Sequence, residues 1–347
     1  MTKDTERTST CDVLDLVDAS IRSAALGAAL ELRLFWLLEA KPLTKDKVSQ
    51  ALGIPPGRCH YWLQLLSQTG LIEEGRGGYA LSSAGRTAIV EAYSHDTWAL
   101  LAQESRERLR GFVDLALHIR RPASTWEAMG LTPPMYVEQM ERCPERAHRF
   151  TRMLYELHLP LARVLAQSLD LTGAERLMDV GGGSGVVSLE LARRFSGLTC
   201  VVVDIANVCD AGLEIAVEQS LEDRISYHAA DFVRDELPPG FDVALECDVN
   251  VFSVELFRKV RESLNPGGRF VIVDQLAPAK GVAPPSRVHW AFQGSLVEPE
   301  FAFATAAEVR EQLEKAGFHS LSERSVPPVP GPCTMFMDGM VVLEARK

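Results

Sequence analysis

From residue 171 onward the chain alternates short apolar runs with segments of helical period. Leu177-Met178, Cys200-Val201-Val202-Val203, Ile225-Ser226-Tyr227 and Phe270-Val271-Ile272-Val273 are such runs. They predict strands near 176–180, 199–204, 224–228, 241–246 and 269–274, and helices near 185–195, 209–220, 253–264 and 305–317. Strands alternating with helices imply an α/β fold with a parallel, doubly wound, Rossmann-like sheet. The tail from Met335 to Glu344 is expected to supply the last strand.

The first half has a different rhythm. Val13, Val17, Ala24, Ala28, Leu32 and Phe35 recur at helical spacing over residues 12–40, on alanine-rich faces that let helices pack closely. Thr44 is expected to cap the next helix, Gly53 and Pro55-Pro56 to break it, and a further helix to run over 57–69 and stop at Gly70. Leu71-Ile72-Glu73-Glu74 and Tyr79-Ala80-Leu81 then flank a Gly75-Arg76-Gly77-Gly78 turn, the pattern of a β-wing. Residues 40–90 therefore read as a winged helix. From 91 to 170 the pattern is mostly helical, with breaks near Pro122 and at Thr132-Pro133-Pro134. The expected division is an N-terminal α-helical, winged-helix domain over 1–95, a helical linker over 96–170 and the α/β domain over 171–347.

Composition narrows the classes. A net charge of −11 repels nucleic-acid phosphates and anionic membranes rather than neutralising them. In the 57–69 helix the exposed polar positions are Arg58, His60, Gln64, Ser67 and Gln68, one firm positive charge where a groove-reading helix brings several. A DNA-binding regulator is thereby disfavoured. No apolar run reaches the roughly 18 residues of a membrane span, and the polar start Met1-Thr2-Lys3-Asp4 lacks a signal-peptide core, so a cytoplasmic protein is expected. The seven cysteines form no C-x-x-C pair, which predicts reduced thiols without a disulfide frame. The eight histidines offer no i, i+4 pair with a carboxylate, and no metal is expected.

The candidate chemistry begins at Asp179-Val180-Gly181-Gly182-Gly183-Ser184-Gly185, a strand ending in a glycine-rich turn that launches a helix. Such a turn brings backbone close to a ligand, and the helix start favours a carboxylate. Val186 stands where a dinucleotide loop has its third glycine, which argues against nicotinamide or flavin. Asp204, 25 positions after Asp179, ends the next strand where a ribose-binding acid belongs. Asp231 follows the third strand and is suited to an adenine amine, with Phe232 as packing partner, while Asp179 and the turn at Gly181 suit an α-amino group. With nothing basic in the loop, the series fits S-adenosylmethionine better than a phosphate-bearing cofactor.

This pattern resembles the class I S-adenosylmethionine-dependent methyltransferases, and nearly the whole chain resembles their small-molecule branch, the plant-type and bacterial natural-product O-methyltransferases. The specific parts are the Asp179–Gly185 loop, Val203-Asp204-Ile205, Ala230-Asp231-Phe232 and Asn265-Pro266-Gly267-Gly268-Arg269 before the fifth strand. The resemblance implies an N-terminal domain that pairs subunits, hence a homodimer. It also implies a cofactor set of Asp179, Gly181, Gly183, Gly185, Asp204, Ile205, Asp231, Phe232, Glu246 and Met153. The helix carrying Phe150, Met153, Tyr155 and His158 would border the cofactor and acceptor.

The family's base is a histidine after the fourth strand, within a His-Asp-Trp or His-His-Trp motif. Here that stretch reads Leu245-Glu246-Cys247-Asp248-Val249-Asn250-Val251-Phe252, and the histidine is absent. Asp274 replaces one orienting glutamate, and Phe303 falls where the second would be. His289, in the segment after the fifth strand, is a candidate catalytic group, assisted by Asp274 or Asp248. A histidine so placed also occurs in the bacteriochlorophyllide C-20 methyltransferase, which this region resembles. Phe252, Trp290, Phe292, Phe301, Phe303, Met129 and Met153 are candidate pocket walls for a hydrophobic, aromatic or polycyclic acceptor. The expected function is O- or C-methylation in secondary or pigment metabolism. The lost base motif leaves open a non-methylating use of the cofactor, such as hydroxylation, decarboxylation or cyclisation.

Overall fold

The computed structural model describes residues 9–133, 135–331 and 337–347. The chain divides into two units, one ending at Arg110 and the other spanning Gly111–Lys347.

In the first unit the expected helical stretch resolves into α1 (Thr10–Val17), α2 (Ala19–Glu31) and α3 (Leu34–Ala40), with Arg33 in the left-handed region at φ 62° between the last two. Ser9 closes α1 through a capping box with Asp12. Thr44 caps α4 (Lys45–Leu52) by accepting from the Lys47 amide, Gly53 ends it at φ 65°, and α5 (Pro56–Ser67) follows. The strands β1 (Ile72–Gly75) and β2 (Gly78–Leu81) pair antiparallel. Tyr79 exchanges backbone hydrogen bonds with Leu43 at 2.8 and 2.9 Å. A core of Leu34, Phe35, Leu38, Leu63, Leu66 and Ile72 fills this unit, which closes with α6 (His95–Leu109) against α2. The helix α1 buries none of its residues.

The second unit opens with short helical turns, among them Thr125–Ala128, followed by α7 (Tyr136–Arg142) and the long α8 (Pro144–Ser168). The strands β3 (Arg176–Val180), β4 (Thr199–Asp204), β5 (Ile225–Ala229), β6 (Phe241–Cys247) and β7 (Leu264–Asp274) are parallel. Between them run α9 (Val186–Arg194), α10 (Ala206–Glu218) and α11 (Val254–Ser263). Then come α12 (Val288–Val297), α13 (Ala306–Lys315), β8 (His319–Ser325) and β9 (Val341–Arg346), giving the sheet order β5-β4-β3-β6-β7-β9-β8. The Rossmann-like doubly wound sheet is completed by an antiparallel strand, since β9 runs antiparallel to both β7 and β8. The strand β8 escapes sequence reading because HSLSERS carries almost no apolar residues, and its edge position leaves them exposed. Of the expected tail strand, the segment from Met335 lies partly outside the described residues.

Two cores flank the sheet. Leu161, Leu165, Leu189, Leu191 and Ile215 pack on one face, and Leu256, Phe257, Val260, Val309 and Leu313 on the other. The chain leaves β3 for β4 on one side and later returns to β6 on the other, so β3 and β6 meet at a topological switch. A crevice at the carboxyl ends of such strands is where open α/β sheets hold ligands. Among the described residues no helix is long and apolar enough to cross a membrane.

Candidate active site

The loop after β3 is built by its contacts. Gly181 donates to the Val203 carbonyl at 2.8 Å, tying the tip of β3 to β4. Gly185, at φ 69°, has no room for a side chain, since a Cβ there would sit 2.5 Å from the Tyr227 hydroxyl oxygen. That hydroxyl donates to the Ser184 carbonyl at 2.9 Å, so β5 clamps the turn. Gly183, at φ 57°, faces open space, with no atom within 4 Å of a Cβ built on it. The turn is thus rigid behind and accessible in front.

Two acids line it. Asp179, 1 % exposed, accepts from Ser188 Oγ at 2.7 Å through Oδ2, while Oδ1 has no hydrogen-bond partner among the described residues. Burial lifts its carboxyl to about 7; the Ser188 bond opposes the rise and Asp204 adds to it. Asp204 accepts from the Gly183 amide at 3.0 Å and from its neighbour Ile205 at 2.8 Å, and burial lifts it to about 6 against both bonds. A buried carboxylate oxygen beside an open glycine turn can accept a hydrogen bond from a ligand's donor. Asp231 is engaged locally: its Oδ1 accepts from the Val233 and Arg234 amides at 2.9 and 3.4 Å, holding the 231–235 turn. Phe232 packs near Gly181, its ring 3.2 Å from a Cβ built there. Met153 is buried on α8 and Ile205 at the start of α10.

A second polar cluster lies at the tips of β6 and β7. Asp248, in the left-handed region at φ 56°, accepts from His158 Nε2 at 3.1 Å and from the Arg287 guanidinium at 3.1 Å. Arg287 also donates to Gln275 Oε1. Asp274 accepts from the Gln275 and Asn250 amides at 2.7 and 3.1 Å. Burial, then the Asp248 charge, lifts Asp274 to about 8. Glu246 is fully buried, and burial followed by Asp274 drives it well above the carboxylate range, with the Val251 amide opposing. His158 is raised above its ordinary value: burial opposes the rise, and the bond and charge of Asp248 outweigh it. Asp248 is held low because His158 and Arg287 outweigh the burial that pushes it up. Val249 joins this cluster to the glycine loop, its Cγ2 only 2.9 Å from a Cβ built on Gly181.

His289 lies exposed at the start of α12, its ring 6.3 Å from that of Trp290. Asp248, expected to assist it, pairs with His158 and Arg287. Sequence reading placed His158 on its helix but had no signal for a partner 90 positions away. Trp290 and Phe292 are 42 and 45 % exposed, and Arg287 stands 5.8 Å from the Trp290 ring centre. Phe252 and Phe303 line a cavity of about 280 Å³ with Lys280 and Val309. Met129 follows the 125–128 turn, which Thr125 ties to the Leu296 carbonyl of α12 at 3.2 Å.

The O-methyltransferase domain family matches residues 112–319, well over half of the chain. The chain belongs to this family. It is 28% identical over 307 residues to the 3-hydroxy-5-methyl-1-naphthoate 3-O-methyltransferase of Streptomyces sahachiroi, covering 87% of this chain and 88% of that one. It is 28% identical over 316 residues to the N,N-dimethyltransferase OxyT of Streptomyces rimosus, covering 88% and 90%. The solved structure of the mitomycin 7-O-methyltransferase MmcR superposes with a TM-score of 0.80 at 21% identity over 96% of each chain. That likeness shows the class I methyltransferase fold. The protein is thus an enzyme, an S-adenosylmethionine-dependent methyltransferase.

Proposed function

We propose that this methyltransferase acts on a hydrophobic, aromatic or polycyclic small molecule of secondary or pigment metabolism, at oxygen or carbon. The observation that carries the reading is the continuity of the second unit's site. The open turn at Gly183 with the unpartnered Asp179 Oδ1 is joined through Val249 to the Asp248 cluster, and from there through Arg287 to the exposed ring of Trp290. S-adenosylmethionine, when bound, supplies an electrophilic methyl group on a sulfonium. In this reading Asp179, Gly181, Gly183 and Gly185 hold its amino-acid end, and Asp204 with Ile205 holds the ribose. Asp231 and Phe232 take the adenine, with Met153 and Glu246 adjoining. Trp290, Phe292, Phe252, Phe303 and Met129 wall the acceptor. Fixing the reacting atoms in line is worth about 7–11 kcal/mol. The 3-hydroxy-naphthoate in the name of the Streptomyces sahachiroi relative supports a hydroxyaromatic acceptor.

The same reading makes the enzyme a cytoplasmic homodimer that pairs through its N-terminal winged-helix unit. Support comes from α1, where Val13, Leu14, Leu16 and Val17 are 50 to 72 % exposed, and from a cleft of about 430 Å³ lined by Ala24, Gly27, Ala28, Trp98 and Ala102. The free thiols of Cys59, Cys200, Cys209 and Cys247 suit a reducing compartment. The test of activity is label transfer from methyl-labelled S-adenosylmethionine to a panel of hydroxynaphthoates and hydroxyanthraquinones. Methylated product is expected. Absence of transfer to any member, with cofactor binding intact, would contradict the acceptor class.

A further inference from the structure

Two backbone bonds set the entry to α9: the Gly185 amide donates to the Gly182 carbonyl at 2.8 Å, and the Leu189 amide donates to the Gly185 carbonyl at 2.8 Å. The helical ladder thus opens at Gly185, and the Ser184 carbonyl stands just ahead of it. A side chain from another strand takes that carbonyl. Tyr227 of β5, 43 positions on, donates its hydroxyl to it at 2.9 Å. Burial, then the Asp179 charge, raises the phenol above its ordinary range, so the oxygen keeps the proton it donates.

The surroundings are shaped to this ring. A Cβ on Gly185 would lie 2.5 Å from the Tyr227 oxygen, and one on Gly212 of α10 would lie 2.3 Å from the ring's Cε1. A loop and a helix both give up a side chain where the phenol passes. The strand fixes the ring in turn, since Tyr227 pairs in register with Val202 of β4. The turn has little stiffness of its own: Gly181, Gly183 and Gly185 sit at φ 66°, 57° and 69°, and glycine leaves such conformations as readily as it enters them. Bonds from outside the turn therefore set the direction of the start of α9. Its first amides have no intrahelical acceptors and are suited to a carboxylate.

We propose that Tyr227 is a positioning residue for the cofactor: by fixing the Ser184 carbonyl, its hydroxyl aims the start of α9 at the carboxylate of the amino-acid end. The inference rests on the placement of that end at the turn after β3, and it adds the residue that orients the turn. Tyr227 acts through the backbone of Ser184 and Gly185. Its removal should therefore be felt by the carboxylate and not by the rest of the ligand.

The test is isothermal titration of the full-length protein and of Tyr227→Phe with S-adenosylhomocysteine and with its decarboxylated analogue, which keeps the amino group, the sulfur and the nucleoside. The phenylalanine ring still fills the space between Gly185 and Gly212, so only the hydrogen bond is lost. Tyr227→Phe should weaken S-adenosylhomocysteine about fivefold, the worth of one neutral hydrogen bond, and the decarboxylated analogue by less than about twofold. A general loosening of the fold would weaken both alike. Unchanged affinity for S-adenosylhomocysteine, or an equal loss for the two ligands, overturns the proposal while leaving the placement of the amino-acid end standing. A parent protein that binds the two ligands equally tightly overturns that placement and the proposal together.

Discussion

His158 Nε2 lies 3.1 Å from Asp248 Oδ2, and the same carboxylate's Oδ1 is taken by Arg287. This relationship joins three segments that no local pattern relates. His289 lies exposed on α12. With a hydroxynaphthoate acceptor, His158→Gln should lower kcat by at least about tenfold, in keeping with the loss of a preorganised electrostatic group. His289→Ala should stay within about twofold of the parent. Steady-state kinetics on the two variants check this, and the reverse ranking would restore His289 as the base.

Stability should depend on pH in a direction set by the buried acids. Asp179, Asp204 and Asp274 stand at about 7, 6 and 8 against an ordinary 3.8. The folded state therefore binds more protons than the unfolded state across that interval, and stability falls as pH rises through it. His158, raised above 6.5, has the same sign: its contribution is present below 6.5 and is lost as pH rises through the folded value. The Tm of the ligand-free protein should drop from about pH 5 to about pH 8. Asp179→Asn should flatten the curve, and S-adenosylmethionine should raise Tm more at the upper end, where the acids it meets are ionised. Differential scanning fluorimetry across the range would expose a flat or rising profile.

Two glycines of one loop should fail differently. Gly185→Ala meets the Tyr227 hydroxyl oxygen at 2.5 Å and a φ of 69°. A loss of about 2–4 kcal/mol in chemical denaturation is expected from strain and overpacking together. Gly183→Ala, at φ 57° with nothing within 4 Å, should cost only the backbone strain of about 1–2 kcal/mol. Its larger effect should be on cofactor affinity, because its methyl would project where the ligand must come close.

The N-terminal unit carries the assembly prediction. Leu16 and Val17 are 72 and 71 % exposed on a helix with no buried residue. Leu16→Glu with Val17→Glu should convert a dimer at micromolar concentration into a monomer in sedimentation velocity. A wild-type monomer would dismiss pairing through this helix.

Much of the α/β unit was legible because its strands are buried on both faces and so appear as apolar runs, Cys200 to Val203 being the clearest. The helix start at Thr44 was marked by its side chain, which accepts from the Lys47 amide. The strand His319–Ser325 was not legible, because an edge strand held by β9 needs no apolar pattern of its own. In the site, Asp179, Asp204 and the glycines stood together in sequence or at strand ends. The clamp by Tyr227 and the partnership of His158, Asp248 and Arg287 depend on segments brought together only by the sheet. Asp231 was legible as a strand-tip acid, but its use in holding its own turn was not.

The central claim is that the turn after β3 holds S-adenosylmethionine, with Asp204 as an anchor. Isothermal titration of the purified protein with S-adenosylmethionine, S-adenosylhomocysteine and NADH tests it most directly. The two sulfur nucleosides should bind one per chain and NADH should give no heat, and Asp204→Asn should weaken both nucleosides by about 10- to 100-fold, the worth of a hydrogen bond to a charged group. Binding of NADH in their place, or unchanged affinity in Asp204→Asn, would contradict the account.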